Sequence, residues 1–261
     1  MKTTIAVLGA LGNMGRAVTR LACTTDDLQP LVFWERADHP GLHKPHPECL
    51  GKVTRAPEGL ETVDVVVDFS SPESLASLLP QVVAARKPLV SGTTGVTPEL
   101  LDKLKAASKE IPVLWAPNMS LGVMVLRRLC QTAMQLLGPE AGFEVELVEL
   151  HHRKKKDSPS GTAAALMKDA VDAWGLQAVH GRNGLCGPRN SWECGVHAVL
   201  GGDVVGEHTM YLLGCGERIE LSHRAWNRDV FASGALFAAR RLPTLAPGLY
   251  TVDQLLGENL K

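Results

Sequence analysis

The sequence predicts an α/β fold in two parts: a doubly wound parallel sheet, then an α+β domain built on a mixed or antiparallel sheet. Three observations carry this. The first half alternates short β-branched runs with longer helical patterns, the rhythm of parallel strands joined by crossover helices. Val63–Phe69 (VDVVVDF) is an almost continuous apolar run, as expected of a strand covered on both faces. Farther on, strands succeed one another through Gly-rich turns without helices between them, which marks a second domain.

Taken in order, Thr3–Leu8 reads as a buried strand and Met14–Cys23 as a helix. Leu31–Trp34 is the next strand, followed by a polar, Pro/His-rich loop to about Pro57. After the valine run come helix Pro72–Ala85, strand Pro88–Ser91, helix Pro98–Lys109 and strand Val113–Ala116. A helix begins near Leu121, and Phe143–His151 alternates as a longer strand, Val145 and Leu147 against Glu144 and Glu146. A Lys-rich loop leads to a helix from about Ser160. His197–Leu200, Thr209–Leu213 and Arg218–His223 read as strands and Phe231–Arg241 as a helix. The expected domains are residues 1–121 with 232–261, and residues 122–231.

A chain of 261 residues is long enough for two domains, and 45% apolar with 21% charged residues is ordinary for a globular protein. The net charge of −1 supplies no basic field to recruit nucleic acid or an anionic membrane, so any anion must be held by local arrangement. No apolar stretch reaches membrane-spanning length, and Met1–Leu8 leads into a glycine motif without a small-residue cleavage site. The six cysteines form no CxxC pair, which in a chain this large fits reduced thiols and a cytoplasmic setting. His39, His43, His46 and Cys49 invite a metal reading. Interrupting prolines and a spacing foreign to zinc modules predict a flexible surface loop instead, and no metal.

The first chemical signal is GALGNMG, with Gly9, Gly12 and Gly15 between the first strand and first helix. A turn there must be tight, admit a pyrophosphate close to the backbone, and let helix pack on strand. The N–H groups of the helix start then face the phosphates. Glu35 ends the second strand, about 20 residues on, where an acid accepts hydrogen bonds from an adenosine ribose. Together these predict a Rossmann-type dinucleotide site. Arg36 follows, and a guanidinium there can pair with a 2′-phosphate, so NADH and NADPH both stand as cofactors.

The second signal is ELHHRKKKDSPSGTA, Glu149 to Ala163. Adjacent histidines close a strand, four cations fill a loop, and Ser-Gly-Thr after a proline opens a helix. A capped helix N-terminus with cations beside it is a receptor for carboxylate or phosphate. A histidine of ordinary pKa next to it can shuttle a proton at neutral pH. Lys154 and Lys156 read as solvated loop charges.

This segment resembles the signature of the dihydrodipicolinate reductases, approximately E-x-H-H-x-x-K-x-D-x-P-S-G-T-A. The resemblance runs along essentially the whole chain: GALGNMG, DFSSPE at 68–73, GTTG at 92–95, APNMSLGV at 116–123, GGDVVGEH at 201–208 and the later FASGA. It implies that NAD(P)H reduces 4-hydroxy-tetrahydrodipicolinate to tetrahydrodipicolinate, in the biosynthesis of diaminopimelate and lysine. His151 is implied as proton donor and Lys155 as its catalytic partner. His152, Ser160, Gly161 and Thr162 are implied to receive the substrate carboxylates. Asn13 and Met14 join the motif glycines as cofactor residues. Gly92, Thr93 and Thr94 are implied around the nicotinamide ribose, and Ala116, Asn118, Met119 and Phe69 beside the nicotinamide. The family is tetrameric through its second sheet, and closure about hinges near Ser120–Gly122 and Ser222–Phe231 is expected. Two departures stand out: Asn13 replaces a basic residue common in relatives, and Leu200-Gly201-Gly202 replaces Arg-Gly-Gly.

Another Rossmann-type dehydrogenase of amino-acid precursors, aspartate or homoserine dehydrogenase-like, accounts for the glycines and Glu35 but leaves His151, His152 and Lys155 without a purpose. A dinucleotide-sensing transcription regulator needs a basic nucleic-acid module, which the charge does not supply. Gly206-Glu207-His208 reads as structural or as part of an interface.

Overall fold

A computed structural model describes residues 2–257; Met1 and 258–261, the end of the expected 232–261 segment, lie outside the described residues. In chain order the first elements are β1 (Thr3–Leu8), α1 (Asn13–Cys23), β2 (Leu28–Trp34), β3 (Val53–Thr54), β4 (Val65–Asp68), α2 (Pro72–Ala84), β5 (Leu89–Ser91), α3 (Pro98–Ala107) and β6 (Pro112–Trp115). Then come α4 (Leu121–Leu136), β7 (Glu144–His151), α5 (Gly161–Trp174), β8 (Gln177–His180), β9 (Glu193–Leu200), β10 (Gly206–Gly214) and β11 (Glu217–Ala225). The chain ends with α6 (Asp229–Arg241), β12 (Gly248–Tyr250) and α7 (Val252–Gly257). Two compact units result: residues up to Leu121 together with those from Arg228 on, and Gly122–Asn227.

The first unit is a seven-stranded parallel sheet in the order β12-β6-β5-β4-β1-β2-β3. Val65, Val66 and Val67 of β4 are all fully buried, because α2 and α3 cover one face of the sheet while α1 and α6 cover the other. Helices α2 and α3 start where local chemistry tells them to. Ser71 and Thr97 accept from the N–H groups of Ser74 and Leu100, with a proline next in each case. Strand β2 begins at Leu28, earlier than the expected Leu31. Pro30 has no N–H to donate, and the pairing with β1 shifts between Ile5 and Ala6, leaving Leu31 40% exposed. Strands β3 and β12 are too short to leave a periodic signal.

The second unit is a five-stranded mixed sheet in the order β11-β10-β7-β9-β8, antiparallel across β11-β10-β7 and parallel across β7-β9-β8. Every second residue of β7 is buried, so one face packs Val145, Leu147, Cys194, Val196, Met210 and Leu212 against Leu126, Cys130, Leu166 and Ala170 of α4 and α5. The other face, with Val148, Leu150, Tyr211 and Leu213, stays half-exposed.

The cysteine expectation needs correction. Cys23 and Cys49, 26 residues apart in sequence, form a disulfide, while Cys130, Cys186, Cys194 and Cys215 are free. The loop expected to be flexible is in fact pinned: His46 is only 4% exposed and stacks on Phe33. That packing carries Cys49 to the C-terminal end of α1, an encounter that sequence spacing does not encode. Among the described residues no helix is long and apolar enough to cross a membrane.

Candidate active site

Each unit carries one half of the predicted chemistry. In the first, strand order reverses between β1 and β4, so a crevice opens beyond the carboxyl ends of these strands. The turn after β1 fills its floor. Gly9 has φ +74°, and a Cβ on Gly15 would lie 2.1 Å from the Gly9 carbonyl oxygen, so helix α1 can pack this closely only on a glycine. Gly12 caps α1 without a side-chain bond, and the first turn holds no acidic residue. The unpaired N–H groups and positive end of the helix dipole therefore remain uncompensated there, with Gly12 and Asn13 exposed and Met14 half-buried beside them. These residues fit a pyrophosphate.

The other predicted cofactor residues lie along the same edge of the sheet. Glu35, at the end of β2, accepts from the Leu11 N–H through Oε2 at 3.2 Å. Arg36 is exposed and approaches Asp38 at 3.4 Å. Phe69 follows β4, and its ring fills the space beside Gly92, where a Cβ would sit 2.1 Å from Cε1. Thr93 is buried: its hydroxyl donates to Asp68 at 2.8 Å and accepts from the Ser70 N–H at 3.1 Å. Its side chain is thus committed to the turn, whereas Thr94 is exposed. Asp68 also accepts from the Ser91 hydroxyl at 2.6 Å. Burial pushes its carboxyl pKa up, against these hydroxyl bonds. Ala116 and Asn118 are half-buried after β6, and Asn118 accepts from the Ser120 N–H. Met119 is buried, with its carbonyl tight against Gly234 of α6.

In the second unit, alternation along β7 puts Glu149 and His151 on the face that packs against α5, 1% and 7% exposed. Register places His208 of β10 directly opposite Glu149. Ser160 caps α5, its hydroxyl accepting from the Ala163 N–H at 3.1 Å, while its own N–H donates to Glu149 Oε1 at 2.9 Å. His208 Nε2 lies 3.0 Å from the Ser160 hydroxyl and 3.6 Å from Glu149 Oε2. His208 Nδ1 is buried without a partner, so the ring proton belongs on Nε2, where it has an acceptor. Ser160 then accepts twice and keeps its own proton to donate.

Burial alone would raise the Glu149 carboxyl, but the nearby His208 imidazole and the Ser160 side chain and N–H hold it at about 2. It is an anion at neutral pH. Its Oε2 lies 3.3 Å from His151 Nδ1, without hydrogen-bond alignment. The expectation of an ordinary pKa for His151 is wrong. Burial, then the neighbouring His208, with Lys155 and His152 adding smaller pushes, drive it down to about 4 against the pull of Glu149. The imidazole is neutral in the unliganded protein.

Lys155 turns its ammonium to Asp157, 3.0 Å from both carboxylate oxygens. His152 is half-buried with Nδ1 unpartnered. Beyond its own helix and chain neighbours, no atom lies within 4 Å of where a Gly161 Cβ would stand, so the helix opening at Gly161 and Thr162 has room for an anion. One ligand atom each from Glu149, His151 and His208 lies within 4.8 Å of the others, a spacing that a cation could also use. Sequence reasoning read Glu149 only as part of a motif and took His208 as structural. The structure puts both beside His151 and Ser160. Alternation along Thr209–Leu213, continued back to His208, was the available signal, but only register reveals its partner.

Comparison with known families was made against this geometry. Residues 3–119 match the model of the dihydrodipicolinate reductase N-terminus and 122–256 that of its C-terminus. A 4-hydroxy-tetrahydrodipicolinate reductase of Syntrophotalea carbinolica is 43% identical, covering 97% of this chain and 98% of its own. One from Aquifex aeolicus is 42% identical, covering 98% of this chain and all of its own (100%). In fold, the chain is similar to a dipicolinate-bound dihydrodipicolinate reductase from Paenisporosarcina sp. TG-14, with TM-score 0.78, 22% identity, and coverage of 96% and 98%. With both halves of the family matched end to end, and relatives this similar over nearly their full length, the chain belongs to the dihydrodipicolinate reductase family.

Proposed function

We propose that the chain reduces 4-hydroxy-tetrahydrodipicolinate to tetrahydrodipicolinate with NADH or NADPH, in the route to diaminopimelate and lysine. The observation that carries this reading is the meeting of His151, Glu149 and His208 with the capped opening of α5, which offers a dianionic ring both donors and a proton. The reaction adds a hydride and a proton and releases water. The bound dihydronicotinamide supplies the hydride. Gly9, Gly12, Asn13, Met14 and Gly15 would hold its pyrophosphate, Glu35 and Arg36 the adenosine ribose, and Phe69, Gly92, Thr93, Thr94, Ala116, Asn118 and Met119 the nicotinamide half.

The substrate side follows from charge. Ser160, Gly161, Thr162 and His152 receive carboxylates, and Lys155 exchanges Asp157 for the substrate. Two carboxylates arriving beside His151 favour its imidazolium form and lift its depressed pKa, so the proton is loaded together with the substrate. His151 then protonates the ring, and Lys155 stabilises developing negative charge. Glu149 and His208 act as positioning residues, fixing the ring of His151 and the hydroxyl of Ser160.

The half-exposed apolar face of the second sheet supports assembly into a homotetramer. A cytoplasmic location suits the absence of a spanning helix among the described residues. Oxidation of NADH, followed by absorbance with freshly prepared 4-hydroxy-tetrahydrodipicolinate, tests the activity against homoserine and oxaloacetate controls. Turnover of a control in place of the pyridine precursor sinks it. Light scattering tests the tetramer, which a monomer mass would exclude.

A further inference from the structure

The His/Pro-rich loop between β2 and β3 has no part in the chemistry above, yet it is fastened to the glycine turn at several points. His46 Nδ1 accepts from the Glu48 N–H at 3.2 Å, so its proton sits on Nε2 and donates to the Ala10 carbonyl at 3.0 Å. Ala10 lies inside the turn, between Gly9 and Gly12. The ring is buried and stacked on Phe33, with centroids 4.6 Å apart. Gly41 leans on Leu11, where a Cβ would come within 2.4 Å of Cδ1. Farther along α1, Arg16 pairs with Glu48 through Nε at 2.9 Å, and Cys23 is bonded to Cys49. The ring nitrogens of His46 are both used within the protein, and His39 Nδ1 accepts from the Gly41 N–H, so hydrogen bonding rather than metal binding occupies these histidines.

We propose that His46 is a positioning residue for the dinucleotide site and that the Cys23–Cys49 bond is a reversible latch holding it there. The proposal rests on the reading that the Gly9–Gly15 turn receives the pyrophosphate. Of the fastenings, only the disulfide is covalent, and it is tied three positions after His46. Cys23 is exposed and Cys49 half-buried, so a small dithiol can reach the bond. Reduction by a dithiol breaks one S–S bond and makes two thiols, the reductant closing to its own disulfide with transfer of two electrons and two protons. The loop then keeps only non-covalent ties to α1 and the turn, chiefly the Arg16–Glu48 ion pair, the His46–Ala10 hydrogen bond and the packing of Gly41 on Leu11, and the turn is held less firmly in its preset shape. Preorganisation of this kind changes cofactor affinity rather than the chemical step.

The test uses the full chain. Thiol titration should gain two sulfhydryls on reduction with dithiothreitol; no gain overturns the latch. Reduction should weaken NADH binding, read by fluorescence titration and by KM, about fivefold, the effect of one buried hydrogen bond, with kcat at saturating NADH unchanged. Cys49→Ser should match the reduced protein and ignore reductant. His46→Ala should weaken NADH binding, and His46→Gln, which keeps a donor near the same place, should restore most of it. Equal NADH affinity in oxidised and reduced wild-type protein overturns the latch without any variant. A His46→Gln protein as weak as His46→Ala overturns the positioning role. Gly12→Ala serves as reference: unchanged NADH affinity there overturns the underlying placement of the dinucleotide, whereas a loss there with no effect of the loop changes overturns the loop proposal alone.

Discussion

Replacing His208 with alanine isolates the part of the site least expected from its motif. The imidazole Nε2 stands 3.0 Å from the Ser160 hydroxyl and 3.6 Å from Glu149 Oε2, in a region where His208 and Glu149 are 4% and 1% exposed. Removing the donor to the buried Ser160 hydroxyl, beside the Glu149 carboxylate, costs about 1.5–3 kcal/mol. If that interaction acts mainly in the transition state, the rate falls by roughly 10- to 150-fold, at about 1.4 kcal/mol per tenfold. The opening of α5 should survive, because the Ser160 N–H still donates to Glu149 and the Ser160 hydroxyl still caps Ala163. The loss should therefore appear in kcat and not in the KM for NADH, since the glycine turn belongs to another unit. His151 must carry its proton to act, so its pKa sets the alkaline limb of the pH profile of kcat/KM; His208 helps to hold that pKa down, and this limb should move to higher pH in the variant. Glutamine, which places an amide N–H near the imidazole Nε2, should recover part of the rate. The assay is initial velocity at saturating NADH against substrate concentration, with circular dichroism to establish folding. A folded His208→Ala enzyme within twofold of wild-type kcat, or one whose NADH KM rises as much as its kcat falls, refutes the reasoning.

Other consequences can be measured directly. Gly234→Ala would put a Cβ 1.7 Å from the Met119 carbonyl oxygen, so α6 must shift. A cost of about 1–3 kcal/mol, or roughly 2–4 °C of Tm for each kcal/mol, is expected by calorimetry, and an unchanged Tm contradicts it. Acid should destabilise the fold through His151, which takes up a proton near 6.5 when unfolded but only near 4 when folded. Between those values the unfolded chain binds more protons, so stability falls as pH falls, by about 3 kcal/mol in all. Glu149 extends the loss from its ordinary 4.5 down to about 2. Urea midpoints between pH 6.5 and 4 should flatten in His151→Gln; parallel curves would count against the assignment. Arg36→Ala should leave kcat/KM for NADH within twofold and lower that for NADPH about tenfold, the worth of one charge-assisted contact. Equal losses with both cofactors would show that Arg36 does not read the 2′-phosphate.

How far the fold could be read from the chain depended on whether the cause was local. The valine run of β4 is buried on both faces, and the starts of α2 and α3 follow from Ser71-Pro72 and Thr97-Pro98, all within a few residues of one another. Strand β2 starts at Leu28 and not at the expected Leu31, because neighbouring β1 accommodates Pro30 by a shift in register. The Cys23–Cys49 bond was missed for a related reason. Nothing near either cysteine announces the other; a histidine buried under the glycine turn, itself stacked on Phe33 of β2, brings them together.

The two halves of the site differ in legibility because they work through different atoms. A dinucleotide turn works with backbone N–H groups, and the demand for bare backbone leaves glycines at Gly9, Gly12 and Gly15, a mark that survives in any reading of the sequence. The substrate half, as proposed, works with side chains from β7, β10 and the start of α5. Glu149, His151 and Ser160 lie close in sequence and were seen as one motif. His208 enters only through its pairing opposite Glu149, 48 residues beyond Ser160. The same arrangement that hid His208 also overturned the expected pKa of His151. A histidine in a motif reads as a group titrating near neutrality. Once buried beside a second imidazole and within reach of a lysine charge, it gives up its proton until an anion arrives. In the proposed mechanism an acid armed only by its dianionic substrate protects the empty site from adventitious protonation. It also predicts that the pKa governing kcat, set in the complex, lies above the one governing kcat/KM, set in the free enzyme. Coincident pH profiles for the two parameters would remove that coupling.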